Sequence, residues 1–359
     1  MEQIRDKNLY YVGGVVRDEI LGIKSFDKDF CYEGNAIIFS QNLNILRENP
    51  DFGTVRVLFN NEEIDIASTR TEKYPKPGHL PVVDKIGCSL KEDLQRRDFS
   101  INAMAKNTVT GEITDFFDGL EDIENRKIRV LHDNSFIDDP SRILRGLKFA
   151  VRFGFELETH TKKLQDEYLN NINYDMSFHR IKKELKETFN LNNEKAFEIF
   201  ISQNIYKLLG ENQNTPQIKT SIQKLVEAHK PKNIWLVYAG LFNLEKLELN
   251  TEEQEIINSY NSIKNEFPRN DFEIYKLFSS LPLESVLLYA ISIDPNIATR
   301  FLDFLSEIKL ETAGEDLIKL GFKQGKIFKH IFEKTLEYKI NNPYITKSDE
   351  IEFIKENFL

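Results

Sequence analysis

Two aspartates separated by one residue form the most informative pair of side chains in this 359-residue sequence. Asp27 and Asp29 lie in a β-rich run, so their carboxylates point to the same face of a strand. Like charges that close repel unless a cation joins them, and hard oxygen ligands suit Mg²⁺, which also binds substrate phosphates. The spacing predicts a magnesium site at which two ions serve an in-line displacement at phosphorus.

A third carboxylate is expected at such a site, and Asp65 is the candidate. Ile64 and Ile66 flank it in the run EIDIAS, so the two isoleucines face the core while Asp65 faces the opposite side. A simple surface acid is the alternative interpretation of Asp65.

A glycine pair precedes the aspartates by one helix. Gly13 and Gly14 follow the run LYYV, and backbone N–H groups at the start of the next helix can approach a triphosphate where Cβ atoms are absent. Arg17, one turn into that helix, can reach the same phosphates. A glycine pair alone also fits an ordinary tight turn, and the nearby aspartates favour the phosphate site.

Short strands and helices must position these residues. The runs LYYV, DKDFCY, TVRVLF and EIDIAS have strand character, while VVRDEILG and AIIFSQNLNIL have helical spacing. The segment NTVTGEITDFFDG predicts a hairpin, turning at Thr110 and Gly111, that completes the sheet. From Asp139 onward the apolar residues recur at helical steps, so the rest of the chain is predicted to be helical.

The amino-acid composition limits the classes of function that this chain can have. The chain has 48 basic and 58 acidic residues, a net charge of −10, which disfavours a protein that coats nucleic acid non-specifically. The sequence has no secretory pattern and no apolar run long enough to span a membrane, so we expect a cytoplasmic protein without a membrane partner. Cys31 and Cys88 build neither a disulfide framework nor a zinc site.

Four motifs in order carry a family resemblance. GGVVRD, FDKDF, RRDFSINAMA and DDPSRILRGLKFAVRFGF resemble the successive motifs of bacterial class II tRNA nucleotidyltransferases and their poly(A) polymerase relatives. The resemblance covers residues 9 to about 160. It implies an α+β fold with a polymerase-β-like catalytic head (1–137), a helical neck (138–210), and a helical body and tail (211–359) that binds tRNA.

The resemblance also assigns roles to residues of the head. It places Gly14 and Arg17 on the triphosphate and Mg²⁺ on Asp27 and Asp29, and it matches Asp65 more loosely as a third acidic site. In RRDFSINAMA it implies three roles: Arg97 binds the nucleotide, and Asp98 and Asn102 order the sugar and the turn.

The last motif resembles the family's nucleotide-selecting segment, in which an Asp and an Arg on a helix read the incoming base. Asp139 would accept from the exocyclic amino group that ATP and CTP share, and Arg142 would donate to the neighbouring ring atom. Arg145 would contact phosphate or the base edge. Two departures are present: Asp138 stands where the family commonly has Glu, and Lys148, a further nucleotide-binding candidate, stands where it commonly has Arg.

Two further segments resemble parts of the family without carrying chemistry. TRTEKYPKPGHLPVVDKIGCSLKEDL resembles a flexible loop that helps to switch specificity from C to A, and its prolines exclude a helix. Its presence disfavours an enzyme restricted to CC addition. SFHRIKKELKETF resembles a neck helix that supports the head.

The resemblance implies template-independent addition of C and A to tRNA 3′ ends from CTP and ATP. Three alternatives stay open: a partial enzyme that adds only A or only CC, a poly(A) polymerase, and a non-catalytic module that binds RNA or nucleotides. We expect tRNA, ATP and CTP as partners and no DNA, and the sequence leaves the oligomeric state open.

Overall fold

A computed structural model describes residues 4–24, 29–191, 193–211, 213–216, 218 and 221–359. Its strands are β1 (Leu9–Val12), β2 (Asp29–Tyr32), β3 (Asn44–Asn49), β4 (Thr54–Phe59), β5 (Glu62–Ser68), β6 (Arg70–Lys73), β7 (Val82–Ile86), β8 (Met104–Asn107), β9 (Ile113–Asp115), β10 (Lys127–Ile128) and β11 (Glu156–Leu157). In the described ranges seven of them form one sheet in the order β3-β4-β5-β2-β1-β8-β9. Strands β2 and β5 pair in parallel and the other neighbours pair antiparallel, so the sheet is mixed, and the predicted α+β fold is confirmed.

Helices dominate the chain after this sheet, as predicted. The α-helices are α1 (Gly14–Ile20), α2 (Ala36–Phe39), α3 (Leu90–Gln95), α4 (Gly119–Glu124), α5 (Ser135–Asp138), α6 (Ser141–Phe153), α7 (Thr159–Asn170), α8 (Phe178–Phe189), α9 (Asn193–Ser202), α10 (Gln223–His229), α11 (Ile234–Ala239), α12 (Thr251–Ile263), α13 (Asp271–Phe278), α14 (Leu283–Ser292), α15 (Pro295–Asp303), α16 (Gly314–Lys319), α17 (Lys326–Asn341) and α18 (Lys347–Phe358). Among the described residues, none of these helices combines the length and the apolar character needed to cross a membrane.

The described residues form two compact units. The first runs to Gln213 and includes Glu245–Glu248, and the second comprises the described part of Asn214–Leu244 together with Leu249–Leu359. The three-part division at residues 137 and 210 stays a prediction.

Both faces of the sheet are covered near its centre. Phe30 of β2 joins a core with Leu9 and Ile66 on the face beneath α2. The next residue, Cys31, points to the other face and packs with Leu94 of α3. Because side chains alternate along a strand, Asp29 lies on the same face as Cys31, so the sheet brings the start of β2 close to the end of α3.

One predicted helix is largely wrong. AIIFSQNLNIL was expected to be helical, but α2 ends at Phe39, a 3₁₀ turn covers Ser40–Asn42, and β3 begins at Asn44. Ile45 in β3 pairs with Val57 in β4, so the partner strand overrides the local helical spacing.

The proline-containing segment after β5 is more ordered than the predicted loop. Strands β6 and β7 pair antiparallel as a separate two-stranded ribbon, and the prolines lie in the connection between them, where no ladder hydrogen bond is needed. The connection between β6 and β7, which holds the prolines, has no helix among the described residues, as predicted, but the last residues of the predicted loop segment form most of α3 (Leu90–Gln95).

The neck begins with α6, which buries Ile143, Leu144 and Leu147 as its spacing predicts. The hydroxyl of Thr188 in α8 reaches the backbone carbonyl of Leu144, so α8 packs directly on α6. The prediction that all of the chain beyond Asp139 is helical misses β11, a two-residue strand that pairs in parallel with β10.

The second unit has its own core. Trp235, Tyr238, Phe278 and Tyr289 are fully buried in it.

Candidate active site

A cavity of about 560 Å³ lies in the first unit between the sheet, α3 and the neck. Its lining consists of Gly13, Gly14, Asp29, Phe52, Arg70, Glu72, Tyr74, Leu80, Pro81, Arg96, Arg97, Asp98, Asn102, Asp139, Arg142, Arg145, Arg180 and Glu184. The structure therefore brings together most of the site residues that the sequence predicts. Arg17, Asp65 and Lys148 are not part of this lining, and Asp27 lies outside the described residues.

The absence of a Cβ atom on Gly13 leaves room for the side chain of Arg97. Gly13 precedes α1 with φ of +73°, and a Cβ atom on it would lie 2.9 Å from Nη1 of Arg97. Arg97 donates from Nη2 to Asp93 at 3.2 Å, and its buried Nε has no hydrogen-bond partner among the described residues. A guanidinium with an unsatisfied donor at the start of a helix is suited to an anionic oxygen.

Two carboxylates lie side by side on the sheet, and one of them, Asp29, lines the cavity. Asp29 in β2 and Asp65 in β5 are register partners, so both side chains point to the same face. Ile64 and Ile66 are buried and Asp65 is exposed, which is the orientation that the sequence predicts. Arg56 of β4 donates to both oxygens of Asp65, at 2.8 and 2.7 Å.

The carboxylates of Asp29 and Asp65 form a candidate cation site. Asp29 and Asp65 supply hard oxygen donors on neighbouring strands, which suits Mg²⁺. No cluster of three or more His, Cys, Asp or Glu side chains able to hold a metal occurs among the described residues, and Asp27 lies outside them. The magnesium role of these carboxylates stays a prediction.

Arg17 is predicted to bind the triphosphate, but in the structure its guanidinium is engaged by neighbouring protein groups. Its guanidinium donates to Oδ1 of Asp18 at 2.6 Å and to Oδ1 of Asn102 at 2.5 Å. It also lies over the rings of Phe149 and Phe153, 5.1 and 4.8 Å from the centroids. Arg17 therefore ties α1 to α6 behind the cavity, and burial lowers its pKa despite the opposing charge of Asp18.

An ion pair with a buried carboxylate lines the cavity. Arg145 donates two hydrogen bonds to Oδ2 of Asp98, at 2.8 and 2.5 Å, and Asn102 donates to Oδ1 at 3.0 Å. Burial alone would raise the pKa of Asp98, but the Arg145 charge and the Asn102 hydrogen bond outweigh it and lower the pKa to about 2. The pKa of Arg145 is raised by the Asp98 charge.

The two predicted base readers lie close together at the start of α6. Asp139 is in an extended conformation just before the helix, which corrects the expectation that both readers lie on a helix. Its Oδ1 accepts from the backbone N–H and hydroxyl of Ser141. Arg142 donates to the hydroxyl of Ser135 at 2.7 Å and to the carbonyl of Arg96 at 3.0 Å.

The two departures from the family pattern have structural partners. Lys148 donates to Glu184 at 2.6 Å and to Glu187 at 2.8 Å, so it stabilises the contact between α6 and α8. The backbone carbonyl of Asp138 accepts from the N–H of Gly78 in the ribbon connection. Burial raises the pKa of the Asp138 side chain.

Several lining residues are not among the predicted site residues. Arg70, Glu72 and Tyr74 follow each other at every second position, a strand period that the loop assignment hid. Arg180 and Glu184 lie one helical turn apart in α8, so the neck helix presents both to the cavity. That spacing was available in the motif SFHRIKKELKETF.

The mixed sheet, the adjacent carboxylates and the arginine-lined cavity fit the nucleotidyltransferase class that the sequence motifs resemble. Residues 9–129 match the family of the poly A polymerase head domain. The chain is 32% identical to the A-adding tRNA nucleotidyltransferase of Aquifex aeolicus (strain VF5) over 370 residues, covering 92% of this chain and 44% of that protein. It is 30% identical to the A-adding tRNA nucleotidyltransferase of Halalkalibacterium halodurans over 387 residues, covering 98% and 89%.

A solved structure extends the likeness to nearly the whole fold. The Thermotoga maritima CCA-adding enzyme complexed with tRNA matches with a TM-score of 0.76 and 26% identity, over 98% of this chain and 91% of that chain. The chain belongs to the class II tRNA nucleotidyltransferase family. It spans less than half the length of the Aquifex relative, which contains a large region that this chain does not match.

Proposed function

We propose that this protein adds C and A nucleotides to the 3′ end of tRNA, taking them from CTP and ATP without a template. The observation that carries the proposal is the position of Arg97. In the part of the chain that the structure describes, its buried Nε lacks a partner, and its guanidinium lies against Gly13 at the start of α1. A triphosphate oxygen would supply the missing acceptor, and backbone N–H groups of the helix start would contact the same anion.

Selection of the base would come from the other end of the cavity. A carboxylate at Asp139 can accept from the amino groups of cytosine and adenine, but it repels the carbonyl oxygen that uracil and guanine carry at the same position. The guanidinium of Arg142 is held by Ser135 and by the Arg96 carbonyl, so it lies beside Asp139 with little freedom.

We propose that Asp29 and Asp65 hold Mg²⁺ together with Asp27. Their side-by-side register gives two oxygen donors on one face of the sheet. Bound magnesium would neutralise the triphosphate and lower the pKa of the attacking 3′ hydroxyl. The protein residues would orient the triphosphate: Gly13 allows the close approach, and Arg97 pairs with the phosphate charge.

Transfer of A alone is the second candidate function, and one observation favours it. The two relatives compared above, which match 92% and 98% of this chain, are named A-adding enzymes. The Thermotoga protein with the same fold is named a CCA-adding enzyme. Because Asp139 would accept a hydrogen bond from the amino group of either cytosine or adenine, recognition of this group does not distinguish CCA addition from the addition of A alone.

The test uses three tRNA transcripts, ending before the CCA, after the first C, and after CC. Each is incubated with the purified protein and Mg²⁺, with CTP and ATP supplied separately and together, and products are resolved at single-nucleotide steps. Ordered completion to CCA that then stops would support the full reaction. Addition of one A only to the CC-ending transcript would replace it by the A-adding reaction.

Other outcomes would contradict both candidates. Addition of CC without A would make this a CC-adding enzyme, and long A tracts on any RNA would make it a poly(A) polymerase. No incorporation with any transcript would leave a module that binds RNA or nucleotides without catalysis.

A further inference from the structure

One ion pair joins the neck helix to the base-reading aspartate. Arg180, in the first turn of α8, donates from Nη2 to Oδ2 of Asp139, 41 residues away in the sequence. The side chain of Asp139 is 6% exposed and that of Arg180 is 25% exposed, so water screens the pair weakly. Both side chains line the same cavity as the predicted triphosphate ligands.

The acceptor positions of Asp139 are nearly all occupied. A carboxylate offers about four lone-pair positions. Ser141 uses two of them on Oδ1, through its backbone N–H at 3.1 Å and its hydroxyl at 2.6 Å. Arg180 uses one on Oδ2, and Nε of Arg142 is 4.0 Å from that oxygen, beyond hydrogen-bond distance. Among the described residues, one acceptor position of the Asp139 carboxylate therefore remains open, on Oδ2 beside Arg180.

The donors of the two arginines differ. Arg142 is 4% exposed and donates to Ser135, Tyr74 and the backbone of Arg96, so its N–H groups are largely engaged. In contrast, Nη1 of Arg180 is buried and has no hydrogen-bond partner in the described structure. An unsatisfied guanidinium donor next to an open carboxylate acceptor is the complement of an amino group next to a ring nitrogen.

We propose that Arg180 is a specificity-determining residue. It positions Asp139 to accept a hydrogen bond from the amino group of the base, and its Nη1 places a donor beside that acceptor. Cytosine and adenine carry an amino group next to an unprotonated ring nitrogen, whereas uracil and guanine carry a carbonyl next to a ring N–H. The pair therefore rejects UTP and GTP. This inference rests on the proposed function, because it assigns a role within the same nucleotide site.

The test compares Arg180→Gln and Arg180→Lys with Lys183→Gln, a matched loss of one positive charge on the exposed side of the same helix. Two readouts are measured for each: binding of ATP, CTP, GTP and UTP to the protein without tRNA, and kcat and KM for each nucleotide on a CC-ending transcript. The thermal midpoint of every variant is recorded, and Arg180→Lys carries the test if the Gln variant does not fold.

We expect Arg180→Gln to lower the preference for ATP over GTP by at least about tenfold, both in binding and in kcat/KM. Arg180→Lys keeps the charge and should restore part of this preference, and Lys183→Gln should leave it unchanged. An equal fall for all four nucleotides, or an unchanged preference, would overturn the inference. A wild-type protein that prefers ATP over GTP in binding but extends no tRNA would contradict the proposed function instead.

Discussion

Nη1 of Arg97 lies 2.9 Å from the position that a Cβ atom on Gly13 would occupy, on a backbone with φ of +73°. A side chain at residue 13 must therefore displace the arginine and strain the backbone at the same time. We expect Gly13→Ala to raise KM for the nucleotide by at least about tenfold, because a displaced cation loses its contact with the phosphate.

Substitution of Gly22 is the control that separates backbone strain from displacement of Arg97. The φ of Gly22 is +70°, but no atom of the described residues lies within 4 Å of a Cβ built on it. Gly22→Ala should cost about 1 kcal/mol of unfolding free energy through backbone strain alone and leave KM unchanged. Equal KM values for both variants would mean that Gly13 does not make room for Arg97 in the working enzyme.

Arg17 is expected to act mainly through stability. Its guanidinium is buried between Phe149 and Phe153 and is hydrogen-bonded to Asp18 and Asn102. Arg17→Lys should lower the unfolding free energy by about 2 kcal/mol, since an ammonium cannot keep both the stacking and the forked hydrogen bonds. Urea denaturation measures the loss.

Arg152 provides the control for Arg17. It also contacts Phe153 and Asp18, but its side chain is 41% exposed against 5% for Arg17. Arg152→Lys should cost less than about 1 kcal/mol. A large rise in KM for Arg17→Lys without loss of stability would instead support the direct triphosphate role that the sequence predicts.

Asp65 and Arg56 allow a test of the third metal ligand. If Mg²⁺ binds Asp65, it must compete with the guanidinium that now contacts both carboxylate oxygens. Asp65→Asn should raise the Mg²⁺ concentration for half-maximal activity by at least about tenfold, and Arg56→Gln should lower it. Glu63→Gln, which removes only the weaker partner of Arg56 at 3.4 Å, should change little. No effect of Asp65→Asn would identify Asp65 as a surface acid.

The pH dependence of stability should report on Asp98. Its folded pKa of about 2 lies below the ordinary value of 3.8, so its ionised form is favoured in the native state. The stabilisation is present above about pH 4 and is lost as the pH falls through about 2, amounting to about 2 kcal/mol. Unfolding free energies from urea titrations between pH 5 and pH 2 would measure it. Asp98→Asn should flatten the profile in this window, and an unchanged slope would assign the acid sensitivity to other carboxylates.

The strand pattern explains how much of the site could be predicted. Alternation in EIDIAS placed Asp65 on the face opposite Ile64 and Ile66, and the parallel register with Asp29 confirms that orientation. The order of the motifs predicted nine residues of the cavity lining, because family resemblance carries tertiary information that periodicity lacks: Gly13, Gly14, Asp29, Arg97, Asp98, Asn102, Asp139, Arg142 and Arg145.

The partners of those residues could not be predicted in the same way. Arg180 meets Asp139 across 41 residues, and Arg17 meets Phe149 only because α6 packs near α1. Such pairs depend on how the elements pack, which no local pattern encodes. The strand β3 was missed for the same reason, since its pairing with β4 decides its conformation.

The most direct test of catalysis is the extension of a CC-ending tRNA transcript by ATP and Mg²⁺, with wild-type protein and with Asp29→Ala in parallel. Asp29 begins β2 at the edge of the cavity, next to Asp65. We expect that the wild type adds one A and stops, and that the variant loses at least about a thousandfold in rate while it still binds ATP. Extension by Asp29→Ala at the wild-type rate would contradict the carboxylate site, and so would a wild-type protein that binds ATP and leaves the tRNA unchanged.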